Sequence, residues 1–166
     1  SPFLVRTFDP VIDVCEGKQV QELRRIGKRI CLGLEGELWI VLHLMIAGRL
    51  HWKKPGVSLK SKRDLAAFDF DQGTLLLTEA GSKRRASLHV VRGDTALDAL
   101  DPHGLEPLAC RLAEFARTLT AENRTLKRAL TDPRKFSGIG MQDLIRVRIA
   151  NAAELAWVCE RPLQCS

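Results

Sequence analysis

The chain has 166 residues, of which 45% are hydrophobic and 28% are charged, so its composition is that of a protein with a buried core. Its 26 lysines and arginines exceed its 20 aspartates and glutamates, and the net charge of +6 favours a polyanionic partner. No apolar run is long enough to span a membrane, and no signal-peptide pattern opens the chain. The five cysteines form no C-x-x-C pair, which indicates free thiols in a reducing compartment and no zinc site.

Strand signals dominate the first 93 residues. The segment "RICLGLEG" alternates apolar residues between two faces, and "ELWIVLHLMIAGRLHW" predicts one long buried strand with a bend at Gly48. "DLAAFDFDQGTLLLTEA" predicts a hairpin whose turn is Gln72-Gly73. With "ASLHVVRG" as the last strand, this series predicts an antiparallel sandwich or barrel.

Beyond Gly93 the hydrophobic period becomes that of helices. "DTALDALD" predicts a short helix, and the proline-flanked "PHGLEPL" predicts a linker. "CRLAEFARTLTAENRTLKRALTD" has helical spacing, with Asn123 as the predicted N-cap of its second part and Asp132-Pro133 as its end. "MQDLIRVRIANAAELAWVCE" is again helical in pattern. The predicted fold class is α+β, with a β-sandwich over residues 1–100 and a helical segment over residues 101–166.

Positive residues occur in five clusters. A single cluster is usually a solvated surface, but several that converge would suit phosphates, which bind cationic side chains and backbone amides at helix N-termini. The glycine pair Gly138 and Gly140, after a basic helix, predicts a corner that a phosphate can approach closely, although a tight interhelical turn is the commoner explanation of such a pair alone. The clusters are Arg24, Arg25, Lys28 and Arg29; Lys53 and Lys54; Lys60, Lys62 and Arg63; Lys83, Arg84 and Arg85; and Arg124, Lys127, Arg128, Arg134 and Lys135.

The histidines and acidic residues give weaker indications of a functional site. The four histidines include no i, i+4 pair that could bind a metal, and His43, within an apolar strand, is expected to be a core residue. Asp69, Asp71 and Glu79 surround the predicted hairpin and are interpreted as solvated turn acids. No P-loop, dinucleotide fingerprint or G-x-S-x-G motif occurs.

Three segments together resemble the formamidopyrimidine-DNA glycosylase / endonuclease VIII family of base-excision repair enzymes. "LRRIGKRICLGLEGELWIVLHLMIAGRL" is similar to that family's strand pair, "GLEPL" to its interdomain linker, and "TLKRALTDPRKFSGIG" to the first half of its helix–two-turns–helix motif. The resemblance runs from about residue 1 to Gly140. It implies a β-sandwich followed by a helical domain, with damaged double-stranded DNA bound in the cleft between them. It also implies a monomeric, cytoplasmic protein that associates with the bacterial nucleoid.

The resemblance implies a reaction and roles for individual residues. A damaged base is flipped out and removed by an amine that attacks C1′, and the resulting Schiff base leads to strand cleavage. Lys62 corresponds to a lysine that assists base removal and contacts phosphate, although an ordinary surface lysine explains it equally well. A loosely matching loop, "EAGSKRRAS", and the basic corner provide the DNA contacts. The DNA-binding residues expected on this basis are Lys127, Arg128, Gly138, Gly140, Lys83, Arg84 and Arg85.

Several family features are missing from their expected positions. The family's nucleophile is an N-terminal proline followed by glutamate, whereas here Phe3 follows Pro2, which is interpreted as a strand-edge proline. Met141 replaces the motif's phosphate-binding asparagine, and the family's void-filling methionine falls at Ile46. The C-terminal zinc finger of many members does not appear, so no cofactor or metal is expected. These departures predict a glycosylase-like fragment with impaired catalysis, whose change after Gly140 reflects a frameshift or a truncated gene.

Two other functions remain compatible with the sequence. A non-catalytic DNA- or RNA-binding module could use the same helical corner, although such modules do not share the long β half. A β-sandwich protein-interaction domain could carry an incidental basic surface, and its binding would be insensitive to salt. Action at oxidised bases of the formamidopyrimidine or 8-oxoguanine type is the function that the resemblance favours.

Overall fold

A computed structural model describes residues 3–81 and 83–140. The chain divides into two compact units, Ser1–Leu100 and Asp101–Ser166. The first unit contains a 3₁₀ turn at Ile12–Cys15, strands β1 Val20–Ile26, β2 Arg29–Leu34, β3 Leu38–His43, β4 Gly48–Lys53, β5 Asp64–Phe70, β6 Gly73–Glu79 and β7 Ser87–Arg92, and helix α1 Gly93–Asp98. The second contains α2 Leu112–Thr120 and α3 Leu126–Thr131. The helix predicted from residue 141 onward, the frameshift inferred there and the prediction for Pro2 lie outside the described residues.

The strands of the first unit form two antiparallel sheets, in the orders β1-β2-β3-β7 and β4-β6-β5. The predicted α+β class, with an antiparallel β half before the helices, is confirmed. The strand-like pattern at residues 3–8 also has a structural basis. Leu88 donates its N–H to the carbonyl of Leu4 (2.9 Å) and accepts the N–H of Arg6 (2.8 Å), so this segment pairs with the edge of β7.

Alternating apolar residues give the two sheets a common core. Burial of each such side chain contributes about 1.5–3 kcal/mol relative to exposure, so this core is the main source of stability in the unit. The opposite face of the four-stranded sheet is apolar too, and Leu97 of α1 packs in the same cluster as Trp39 and Val41. The buried residues of the common core are Leu4, Leu32, Leu34, Leu38, Ile40, Leu42, Leu65, Leu77, Ala86, Leu88 and Val90.

The run predicted as one bent strand forms two strands in different sheets. β3 belongs to the four-stranded sheet and β4 to the three-stranded sheet, with residues 44–47 between them. The N–H of Gly48 donates to the carbonyl of Leu44 (2.9 Å), and a Cβ on Gly48 would lie 2.3 Å from that oxygen. A glycine is therefore required at this crossing. The prediction of a single strand was wrong because the apolar pattern continues through the turn.

The hairpin of the three-stranded sheet turns one residue earlier than predicted. Phe70 pairs with Gly73, so the two loop residues are Asp71 and Gln72. Gly73 has another role, since a Cβ there would lie 2.6 Å from the indole ring of Trp52. The glycine makes room for the ring and does not form the turn.

Phe136 is fully buried in the second unit, and its ring centroid lies 4.7 Å from that of Phe115 in α2. The stretch predicted as a linker joins this structure, because Leu105 donates its N–H to Lys135 and accepts the N–H of Ser137. Gly104 lies so close that an added Cβ would be 2.3 Å from the carbonyl oxygen of Pro133. Residues 104–105 are thus bonded to the segment that carries the glycine corner.

The boundaries of α3 agree only in part with the prediction. Its N-cap is Thr125 and not Asn123, and no side chain caps the N-terminus. The helix ends at Thr131, directly before Asp132-Pro133, as predicted. None of the helices in the described part of the chain is long and apolar enough to cross a membrane.

Candidate nucleic-acid interface

Four connections of the first unit meet at one end of the two sheets. These connections are residues 27–28, 44–47, 60–63 and 80–86. The strand residues next to them pair with one another: Arg29 with His43, His43 with Ser87, Gly48 with Glu79, and Asp64 with Thr78. We call this end of the unit the basic end. Its cationic residues are Lys28, Arg29, Lys60, Lys62, Arg63, Lys83, Arg84 and Arg85.

The opposite end of the sheets carries most of the acidic turn residues. Glu35 and Glu37 lie between β2 and β3, and Asp71 lies between β5 and β6. Asp94, at the start of α1, forms an ion pair with Arg24 (3.0 Å), whose guanidinium also stacks over a tryptophan ring. Lys53 and Lys54 also lie at this opposite end, but the eight cations of the basic end outnumber them, so a polyanion would be drawn mainly to the basic end.

Glu79 orders the loop between β6 and β7. Its side chain is almost completely buried, and its carboxylate accepts the N–H of Arg85 on both oxygens (3.0 Å each) and the N–H of Ala86 (3.2 Å). The interpretation of Glu79 as a solvated turn acid was wrong, because it lies at the buried end of β6. Asp69 and Asp71 are exposed, as expected.

Lys62 lies in a turn before β5 and not on a strand. The carboxylate of Asp64 orders this turn by accepting the N–H groups of Lys60 (3.0 Å) and Ser61 (2.8 Å). Arg84 donates from its guanidinium to the carbonyl of Lys62, which joins the turn to the β6–β7 loop. The structure therefore brings Lys62 next to the loop of Lys83, Arg84 and Arg85. Within residues 3–81 and 83–140, the Lys62 ammonium has no ion-pair or hydrogen-bond partner.

An open cavity of about 230 Å³ lies between the β3–β4 turn and the β6–β7 loop. Ile46 and Ala47 line one side, and Glu79, Gly81, Lys83 and Arg85 line the other. Ile46 and its neighbour Met45 are 54% and 42% exposed, and Met45 has a positive φ of 54°. Apolar side chains held outward beside cations are typical of proteins that insert a wedge between stacked bases.

Two histidines at the basic end were not recognised as a pair in the sequence. His43 pairs with Ser87 across β3 and β7, and His89, two residues on, lies on the same face as His43 and Arg29. His43 is half-buried and not a fully buried core residue. Burial lowers the pKa of His43, and Arg29, Lys28 and His89 lower it further; burial and the nearby Arg29 and Arg6 likewise lower the pKa of His89. The two imidazoles are thus held neutral beside cations.

In the second unit, three of the five clustered cations share ion pairs with two acids. Arg124 and Lys135 bind Glu122 (2.5 and 2.8 Å), and Arg124 and Arg134 bind Asp132 (3.2 Å each). Hydrogen bonds from Arg134 hold the pKa of Asp132 below its ordinary value. These pairs tie the end of α3 to the segment before it.

Lys127 and Arg128 differ from those three cations. Both are exposed on α3, and no acidic partner in the described part of the chain contacts either side chain. Gly138 has a φ of 77°, a conformation that favours glycine, and Gly140 is buried. The predicted corner thus offers two uncompensated cations and a glycine-dependent turn on the same unit. Their roles in DNA binding stay predictions.

No three histidine, cysteine, aspartate or glutamate side chains in the described ranges are grouped so that they could hold a metal ion. The site therefore consists of cationic, imidazole and apolar groups around two loops ordered by carboxylates.

The model of the formamidopyrimidine-DNA glycosylase N-terminal domain matches residues 4–86, half of the chain. The chain belongs to this family. The match includes all four connections of the basic end, and the resemblance inferred from the sequence is confirmed.

Curated relatives and solved structures agree with the assignment to the formamidopyrimidine-DNA glycosylase family. The formamidopyrimidine-DNA glycosylase of Chloroflexus aurantiacus is 30% identical over 128 residues, which are 75% of this chain and 45% of the relative. That of Wolbachia sp. subsp. Drosophila simulans is 24% identical over 144 residues, which are 83% of this chain and 52% of the relative. The chain thus spans about half the length of the curated relatives it matches.

The Lactococcus lactis enzyme in complex with FAPY-dG-containing DNA has the same fold. It aligns with a TM-score of 0.71 at 21% identity, over 84% of this chain and 53% of that one. The complex of the same enzyme with DNA that contains an abasic site aligns with a TM-score of 0.64 at 20% identity, over 75% and 46% of the two chains.

We expect Glu79→Ala to destabilise the protein by about 1–3 kcal/mol, because the N–H groups of Arg85 and Ala86 lose their acceptor. Asp71→Ala, which removes an exposed turn acid, should change stability by less than about 0.5 kcal/mol. Urea unfolding of the two variants tests this difference. Equal unfolding midpoints would mean that the Glu79 carboxylate does not order the loop.

We expect the histidine pair to make stability depend on pH. Since the pKa of His43 is lower in the folded state than its ordinary value of about 6.5, the unfolded chain binds more protons there, and stability should fall as pH drops from about 7 through the folded-state pKa. His43→Gln should reduce this loss, whereas His51→Gln, at an exposed histidine of β4, should not. Urea unfolding midpoints at about pH 7.5 and pH 5.5 measure the difference. Identical pH dependence in the two variants would contradict the assignment.

Proposed function

We propose that the chain binds damaged double-stranded DNA and belongs to a base-excision repair enzyme that removes oxidised bases of the formamidopyrimidine or 8-oxoguanine type. The observation that carries the proposal is the convergence of cationic loops of the family's N-terminal domain at the basic end. The relatives are named formamidopyrimidine-DNA glycosylases, and the neighbouring structures contain damaged DNA. We further propose that the protein acts as a monomer on the bacterial nucleoid.

Exposed cations of the basic end support contact between this end and phosphates. The carboxylates of Asp64 and Glu79 accept backbone N–H groups of their own loops, so their charges serve to order the loops. Lys62, Lys83 and Arg85 direct uncompensated charge to solvent. Each phosphate neutralised by such a side chain releases condensed counterions, which gives binding a steep salt dependence.

The apolar turn beside these cations supports action on a flipped base. Extrusion of a nucleotide costs stacking energy of a few kcal/mol, and an apolar side chain that fills the vacated space reduces this cost. Met45 and Ile46 are the exposed apolar residues of the turn next to the cavity. We assign the wedge to this pair, with phosphates held by the cations across the cavity.

The second unit contributes phosphate contacts of its own in this proposal. Lys127 and Arg128 project from α3 without acidic partners, and the conformation of Gly138 allows the backbone to turn close to a ligand. Such contacts fix position and orientation on DNA but do not read sequence.

Catalysis places a stricter demand on the chain than binding does. The amine that attacks C1′ must be unprotonated, and burial favours the neutral form of a lysine amine. Lys62 is exposed, and the group bonded to its turn is the guanidinium of Arg84, which contacts the Lys62 carbonyl and not the amine. We therefore propose phosphate contact for Lys62 and no nucleophilic role, so that the 166-residue chain binds DNA without forming a Schiff base.

The binding proposal predicts a change in salt dependence. Lys127→Ala and Lys83→Ala should each weaken binding to all duplex sequences alike and reduce the slope of log K against log salt by about one. Lys53→Ala, at the opposite end of the sheets, should leave the slope near that of the unmodified chain. Fluorescence anisotropy with a duplex that contains an abasic site measures all four proteins. An unchanged slope for Lys127→Ala, on protein shown to be folded, would exclude the corner from the DNA interface.

The catalytic proposal predicts the result of borohydride trapping. The 166-residue chain should yield no covalent complex with duplexes that contain an abasic site or 8-oxoguanine, because no described amine is set up as a nucleophile. Bound DNA in the same samples, detected by anisotropy, separates absent chemistry from absent binding. A trapped complex that disappears in Lys62→Ala would show that Lys62 is the nucleophile.

A further inference from the structure

Trp52 is a large apolar side chain of the three-stranded sheet that is exposed to solvent. It is 58% exposed, although its ring is held in place on two sides. The indole lies over Gly73, where a Cβ would come within 2.6 Å, and it stacks with Phe70 at a centroid distance of 5.9 Å and an interplanar angle of 26°. A large apolar surface is thus both open to solvent and ordered before any ligand binds.

The pairing of the strands defines what surrounds the ring. Trp52 pairs with Leu75, and Phe68 pairs with Leu75 from the other side, so these residues share one face of the sheet. Asp69 pairs with Thr74 and therefore lies on the other face, where its carboxylate accepts the Thr74 hydroxyl. Asp69 is thus directed away from the indole.

Two lysines follow Trp52 directly in the chain. Lys53 ends the edge strand β4, and Lys54 follows it; both are exposed, and neither ammonium has a partner in residues 3–81 and 83–140. Asp69 and Asp71 flank Phe70 in the chain and both are exposed, but the Asp69 carboxylate accepts the Thr74 hydroxyl on the other face of the sheet. The edge of the sheet therefore combines an open aromatic face with two uncompensated cations, and Asp71 is the exposed acid of the adjacent hairpin turn.

We propose that Trp52 and Phe70 form a stacking platform for an unpaired base of single-stranded nucleic acid, with Lys53 and Lys54 contacting the adjoining phosphates. Aromatic platforms flanked by cations are how proteins bind single strands without sequence preference, since every base offers a π-face. The order imposed by Gly73 and Phe70 reduces the entropy lost on binding. A peptide partner would suit the aromatic face but would not require the lysines.

This platform is separate from the basic end. Gly48 and Lys53 are the two ends of β4, which at about 3.3 Å per residue lie about 17 Å apart. The Gly48 end pairs with Glu79 at the basic end, and the Lys53 end pairs with Thr74. The two sites can therefore be impaired independently by mutation.

The test uses a labelled oligothymidylate of about ten nucleotides, a length within the range that single-strand-binding folds cover. Trp52→Ala should weaken its binding about tenfold, and Trp52→Phe, which keeps an aromatic ring, should retain part of the affinity. Quenching of tryptophan emission by the unlabelled oligonucleotide should be lost in Trp52→Phe. Leu23→Ala, which removes a large exposed apolar residue from the other sheet, is the matched control and should have no effect.

Two further measurements make the result decisive. Lys54→Ala should reduce the salt slope for oligothymidylate by about 0.7, and Trp52→Ala should leave duplex affinity unchanged. Equal oligothymidylate affinities for Trp52→Ala and Leu23→Ala would overturn the proposal, as would quenching of Trp52 by an apolar peptide but not by oligothymidylate. Loss of duplex binding in Lys83→Ala concerns the basic end and loss in Lys127→Ala concerns α3 of the second unit, so the two proposals fail separately.

Discussion

The buried carboxylate of Glu79 is the constraint on which the basic end depends. Burial of a charge is costly unless hydrogen bonds replace its water, and here the N–H groups of Arg85 and Ala86 do so. Those bonds fix the loop that carries Lys83–Arg85, and Arg84 then joins the loop to the Lys62 turn. Glu79 orders the β6–β7 loop and Asp64 orders the Lys62 turn, and the Arg84 bond joins them into a surface of fixed geometry, so less conformational entropy is lost when a ligand binds.

The same topology explains why clusters far apart in sequence meet. Successive antiparallel strands return the chain to the same end after every second connection, which places residues 27–28, 44–47 and 80–86 together. The longer segment between β4 and β5 crosses from one end to the other, because both strands pair antiparallel with β6. Lys53 and Lys60 thus belong to opposite ends although only seven positions separate them. Distance along the chain is therefore a poor guide to which cations act together.

Local pattern and family signature predicted much of this molecule, and the errors have physical causes. Alternation of apolar residues with a period of two identified the strands. The alternation does not change where the chain passes from one sheet to the other, so the separation of β3 from β4 before Gly48 was missed. Glu79 was assigned to solvent because its acceptor role requires N–H groups from a loop that sequence cannot place. The His43–His89 pair is a cross-strand neighbourhood, and no periodicity reveals it before the register is known. The site residues named from resemblance await direct tests.

Ion pairs limit what the cations of the second unit can contribute to phosphate binding. Arg124, Arg134 and Lys135 bind Glu122 and Asp132, and moving them to phosphates would leave those acids without partners. Their ion pairs hold together the segment before the buried ring of Phe136. Gly104 lies close to the carbonyl oxygen of Pro133, so the backbone of this segment has little room to rearrange. Lys127 and Arg128 are the two residues of the cluster that no acid in the described part of the chain contacts. Because each phosphate contact adds about 0.9 to the salt slope, we expect these two residues to account for a slope near two in the proposed complex, below the value for five cations.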